Sequence, residues 1–126
     1  MKQVVPLKPE ASITLFLELA RRFVRERGVI IVPRASIERF MRTSDMTPLD
    51  LETLILTLRP RDCFDGPEPD RDPSRAELWT VAEFRAFWEE RALYLKISVS
   101  TRPRRCKCLS IKPYETKRST DGFELL

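Results

Sequence analysis

From Leu93 to Ser100 the chain alternates without a break, with Leu93, Leu95, Ile97 and Val99 apolar and Tyr94, Lys96, Ser98 and Ser100 between them. A strand sends successive side chains to opposite faces, so this pattern predicts a half-buried β-strand. Slipping such a strand by one residue would turn its whole apolar set into water, which ties its register to the core. The stretch from Cys106 to Pro113 alternates too, with Leu109 and Ile111 expected inward and Cys108, Ser110 and Lys112 outward. The basic link Thr101 to Arg105 can close a hairpin between the two. Tyr94, Lys96, Ser110 and Lys112 then share one polar face, with Arg102, Arg104, Arg105 and Lys107 close by.

The N-terminal half reads as helical. Between Pro9 and Arg27 the residues Ile13, Phe16, Leu17, Ala20, Phe23 and Val24 recur at helical spacing, Arg25 and Arg27 suit the carbonyl end of the dipole, and Gly28 supplies a stop. Val29 to Val32 is a short β-branched run ended by Pro33, and Ser36 opens a brief helix through Ile37, Phe40 and Met41. Thr47, Pro48 and Asp50 form a helix start, followed by the buried stripe Leu51, Leu54, Ile55 and Leu58 and stopped by Pro60. The proline-rich acidic run from Asp65 through position 76 predicts an exposed loop. In Glu77 to Ala92, Thr80 and Glu83 imitate a capping box and Val81, Phe84, Phe87 and Trp88 fit helical spacing, so local pattern alone reads helix.

A chain of 126 residues, 42% of them apolar, has the size of one domain spanning 1–126, with a polar tail at 116–126 expected to fray. The fold class expected is α+β, an antiparallel sheet packed against N-terminal helices. The net charge of +4 is segregated, acidic from Asp62 to Asp72 and basic from Thr101 to Arg118, which favours an anionic partner. Three cysteines and no histidine argue against a disulfide framework or a metal site, so no cofactor is expected and the thiols suit a reducing compartment. No basic and apolar signal pattern opens the chain, and Ile13 to Leu17 is too short to span a bilayer, so the expected location is cytoplasmic with no membrane partner.

Glycine-rich phosphate loops and serine–histidine pairings are absent from the sequence. Lysine, arginine and tyrosine can nonetheless cleave RNA, because the substrate 2′-hydroxyl is itself the nucleophile and the protein need only position the phosphate and stabilise its charge. Tyrosine and lysine both begin protonated at neutral pH, which suits an acid and a charge stabiliser and leaves the base unassigned.

Leu93-Tyr94-Leu95-Lys96-Ile97-Ser98-Val99 resembles the tyrosine-bearing strand of the motility quorum-sensing regulator (MqsR-like) family of messenger-RNA interferases, and Leu109-Ser110-Ile111-Lys112 resembles its following serine-x-lysine strand. Upstream, the helix Leu49 to Leu58, the exit Arg61-Asp62-Cys63-Phe64 and Trp79 are similar in order and spacing, so the likeness runs from about Leu19 to Tyr114. The resemblance implies a RelE-like fold and a type II toxin. Such a toxin is a metal-independent endoribonuclease that cuts messenger RNA, free or on the ribosome, and is silenced by a cognate antitoxin. It implies Tyr94 and Lys112 as catalytic residues, while Lys96 is expected to support them and Arg102, Arg104, Arg105, Lys107 and Ser110, on or beside the same polar face, to hold RNA. It also implies that Glu77 to Ala92 is strand and turn rather than helix. Two family positions differ: Asp65 stands where the family has a lysine, and Thr80 where it has a glutamine.

Two other readings fit the same elements. Three short helices and a basic hairpin also describe a winged-helix-like DNA-binding regulator, although the candidate recognition helix carries Asp50 and Glu52 outside its apolar stripe, where phosphates would be repelled. A basic protein-interaction module without catalysis is the third.

Overall fold

The computed structural model describes residues 9–115. The tail expected to fray, at 116–126, lies outside them. Helix α1 (Glu10–Arg27) buries the stripe anticipated from its spacing, from Ile13 to Val24. Gly28 ends it at φ 77°, its amide donating to the Val24 carbonyl. A Cβ here would lie 2.8 Å from Glu52 Oε2, the oxygen that accepts the Val29 N–H at 3.0 Å. The glycine thus leaves room for a carboxylate of a later helix to hold the start of strand β1 (Val29–Ile31). Helix α2 (Ala35–Ser44) turns off at Asp45, and α3 (Pro48–Leu56) starts with a reciprocal cap in which the Asp50 amide donates to Thr47 Oγ1 and the Thr47 amide to Asp50 Oδ2.

Four longer strands follow, β2 (Cys63–Pro69), β3 (Thr80–Trp88), β4 (Arg91–Ser100) and β5 (Arg105–Pro113), in a five-stranded sheet ordered β1-β5-β4-β3-β2. The architecture is α+β as expected, but the sheet is mixed, because β1 runs parallel to β5 while the other pairs are antiparallel. The hairpin of β4 and β5 is present, and Leu93, Leu95 and Ile97 are buried on the side that α1 covers.

Glu77 to Ala92 follows the strand and turn reading. Ala82, Phe84 and Ala86 are buried at every second position, Glu83, Arg85 and Phe87 face the other way, and Glu89 and Glu90 take positive φ in the turn to β4. Two of these three inward residues are alanines. They hide the two-residue period from a reading that weighs only large apolar side chains.

The exposed loop expected at 65–76 is corrected in its first half. Residues 65–69 belong to β2, paired with β3 through register shifts around Asp65 and Glu68. Prolines are tolerated there because β2 is an edge strand, where a missing N–H costs no inner ladder bond. At Gly66, φ is +83° and a Cβ would approach the Val81 carbonyl oxygen to 2.5 Å, so only glycine lets the two backbones lie this close. Only positions 70–79 form the connection, organised by Arg75 on Asp70 and Asp72.

A second correction concerns β5. Lys96 opposes Ser110 but Ile97 opposes Cys108, so Leu109 is the extra residue of a bulge. Beyond the bulge the parity reverses: Cys108 and Cys106 turn inward and are fully buried, while Leu109 turns to the outer face. Ser98 and Ser100, expected on an open face, are buried as well, at 1% and 2% exposure. Gly66→Ala should destabilise the fold by more than about 1 kcal/mol, read as a lowered urea midpoint, since neither of the backbones it separates can yield cheaply.

Candidate active site

The outer face of the sheet gathers the polar residues that the strands cannot bury. Tyr94 lies opposite Lys112 on β5 and Arg85 on β3, and Lys96 lies opposite Ser110 and Glu83. Glu83 in turn lies opposite Asp65 on β2. Tyr94, Lys96, Ser110 and Lys112 are therefore brought together as the alternation demands. The Lys112 ammonium stands 5.1 Å from the centre of the Tyr94 ring.

Glu83 completes the group. Burial raises the pKa of the Tyr94 phenol above its ordinary value, and the hydrogen bond to the Glu83 carboxylate with the charges of Glu83 and Asp65 pushes it further, against a lowering by Arg71. The phenol thus stays protonated across the physiological range, with the Glu83 carboxylate diagonal to it across β3 and β4. The sequence concealed this glutamate by placing it three residues after Thr80, where it imitates a helix cap. A period-two reading of 80–88 would have put it beside Tyr94.

Next to this group the β2–β3 connection and the start of α2 enclose a cleft of about 240 Å³. Its cations are Arg34, Arg71, Arg75, Lys96 and Lys107, its anions Asp65, Glu68, Asp70 and Glu83, and its apolar lining includes Val32 and Leu109. Asp65 thus adds negative charge where the family resemblance implied a cation, while Arg34 and Arg71, which no sequence pattern singled out, bring positive charge from outside the hairpin. Among the described residues no group of three or more Cys, Asp and Glu side chains is placed to hold a metal ion.

The residues expected to hold RNA are dispersed. Lys107 faces the cleft, its ammonium 4.0 Å from the centre of the buried Trp79 ring. Arg105 is half-buried with its Nε unpartnered, and Arg102 is exposed in the turn. Arg104 goes elsewhere. Its guanidinium donates to both Glu26 oxygens at 2.9 and 2.8 Å and lies over the Phe23 ring, which fixes it to α1 on the helical side of the sheet. The cysteines offer no nucleophile here: burial pushes the Cys106 and Cys108 thiols up to about 12, and burial raises Cys63 as well.

Compared with protein-family models, curated proteins and solved structures, the chain has no match in any of the three. No helix among the described residues is long and apolar enough to cross a membrane.

If Glu83 is the partner of Tyr94, Glu83→Gln should lower the tyrosine's pKa by removing the negative charge that opposes its ionisation. The pKa should stay above the ordinary value, because burial, the larger cause, remains. An alkaline ultraviolet titration, with Tyr94→Phe used to assign the signal, measures the change.

Proposed function

We propose that this chain is a metal-independent endoribonuclease that cleaves single-stranded messenger RNA through its own 2′-hydroxyl, the toxin of a type II toxin–antitoxin pair in a RelE-like fold. The observation that carries the reading is the convergence of Tyr94, Glu83, Lys96 and Lys112 from three adjacent strands onto one outer face. An acid, a carboxylate base and two ammonium groups are what transfer of a phosphoryl group to a neighbouring hydroxyl requires.

In this mechanism Glu83 accepts the 2′-hydroxyl proton as the oxygen attacks phosphorus. The new P–O2′ bond forms as the P–O5′ bond breaks, and Lys112 and Lys96 stabilise the negative charge on the phosphoryl oxygens. Protonation converts Glu83 from acceptor to donor, which frees the Tyr94 phenol to protonate the leaving 5′-oxygen. The Glu83 proton then returns to the phenolate. The products are a 2′,3′-cyclic phosphate and a 5′-hydroxyl, and the side chains end as they began. Lys96, directly across from Glu83, also offsets the carboxylates of Glu83 and Asp65, which would otherwise repel the phosphate. Substrate approach is served by Lys107, Arg34 and Arg71 at the cleft rather than by the hairpin tip. With Arg104 held by Glu26 and the Pro103 carbonyl bound by Arg27, that tip is a poor wing for DNA.

Tyr94→Phe, Lys112→Ala and Glu83→Gln should each slow cleavage of labelled single-stranded RNA, assayed with a chelator present, by about a hundredfold or more with affinity little changed. Arg104→Ala should leave both unchanged. Expression alone should arrest growth, and the cognate antitoxin should relieve it. Parent-like cleavage by folded Tyr94→Phe and Lys112→Ala would remove the catalytic assignment.

A further inference from the structure

At the end of the Tyr94 strand away from the cleft, a second groove of about 440 Å³ is bounded by Phe64, Tyr94, Lys112, Pro113, Tyr114 and Glu115. It belongs to none of the steps above except through Tyr94 and Lys112. Phe64, on the edge strand, is 38% exposed although it sits among aromatic rings. Its ring centre lies 6.1 Å from that of Tyr94 at an interplanar angle of 49° and 5.9 Å from that of Tyr114 at 76°. The rings therefore meet edge-on or tilted and do not use up their faces on one another. Cations flank them, with the Arg85 guanidinium 5.2 Å from the Tyr114 ring centre and the Lys112 ammonium 5.1 Å from that of Tyr94. Tyr114 is fixed in place by its amide, which donates to the Ala92 carbonyl at 3.0 Å.

We infer that this groove is a stacking subsite that takes one unpaired RNA base beside the scissile phosphate, with Phe64 and Tyr114 as its aromatic walls. The inference rests on the endoribonuclease reading and deepens it by specifying single-stranded substrate and a second anchoring point. Aromatic faces bordered by cations bind splayed-out bases, whose π-surfaces a duplex keeps stacked on its neighbours. The phosphate belongs next to Lys112 and Tyr94, because Glu115, which also lines the groove, repels it, and that polarity directs the base, not the backbone, into the groove. A strand entering this way would lie along β4, from the aromatic groove across Tyr94 toward the cleft.

The test uses RNA made uncleavable by 2′-O-methylation and carrying 2-aminopurine, whose fluorescence falls on stacking. Bound to the parent, the probe should be quenched. Phe64→Leu, which keeps apolar bulk but loses the aromatic face, should weaken binding about tenfold and abolish the quenching, whereas Phe64→Trp should retain both. A duplex of the same sequence should bind poorly. Unchanged affinity and quenching in Phe64→Leu, equal binding of duplex, or no binding of the probe to the parent overturns the subsite. Because the probe cannot be cut, the two readings fail separately. Quenching lost in Phe64→Leu, alongside unmodified RNA that is never cleaved, supports the subsite and sinks the nuclease. Cleavage indifferent to Phe64→Leu does the reverse.

Discussion

The packing of the inner side of β4 against α1 governs everything on the outer side. Leu93, Leu95 and Ile97 are at most 1% exposed, and α1 supplies Phe16, Leu17, Ala20 and Phe23 to the same core. Full burial of such side chains is worth about 1.5–3 kcal/mol each, far more than any single polar contact on the other face. Since β4 cannot rotate or slip without exposing that set, Tyr94 and Lys96 have no other direction in which to point. The polar group is thus positioned by apolar residues it never touches, and each neighbouring strand adds its members at fixed cross-strand distances.

How much of this was legible follows from which signals are local. The alternation of β4 through Ile97 and the caps of α1 and α3 are written in consecutive residues and appear where expected. The outer-face set Tyr94, Lys96, Ser110 and Lys112 followed from the same pattern. The bulge at Leu109 did not, because parity along β5 depends on a partner strand, and a reading from Ile111 backward carries the wrong face past the extra residue. The β2 strand was hidden for the opposite reason. Its prolines and acidic residues are turn formers, and only an edge position with Gly66 pressed against Val81 makes them acceptable as strand. Glu83 was missed although its strand β3 was expected from the family resemblance, because the local pattern of 80–88 reads as helix and disguises it as a cap residue.

The bulge has a chemical consequence. Without Leu109 as an extra residue, Lys107 would share the inward parity of Ile111, and an ammonium would have to be buried or the strand abandoned. With it, Lys107 reaches the cleft and covers Trp79, while two thiols, small and tolerant of burial, fill the inward positions. The C-x-C pair is explained as core packing, with no metal or redox role needed.

Charge balance decides what the outer face can bind. Asp65 and Glu83 face each other across β2 and β3, an arrangement that costs energy when like charges are opposed and unscreened. Lys96 directly beside them and Arg71 near the phenol offset that cost, so the face sets cations next to carboxylates. A phosphate entering such a site does not meet a bare positive patch. In the proposed reaction it would compete with Glu83 and Asp65 for Lys96, and would win that ammonium most readily once Glu83 had taken the 2′-hydroxyl proton and lost its charge. On the proposed mechanism the carboxylates weaken ground-state binding of phosphate while leaving stabilisation of the developing charge intact, which is the direction in which binding energy accelerates a reaction.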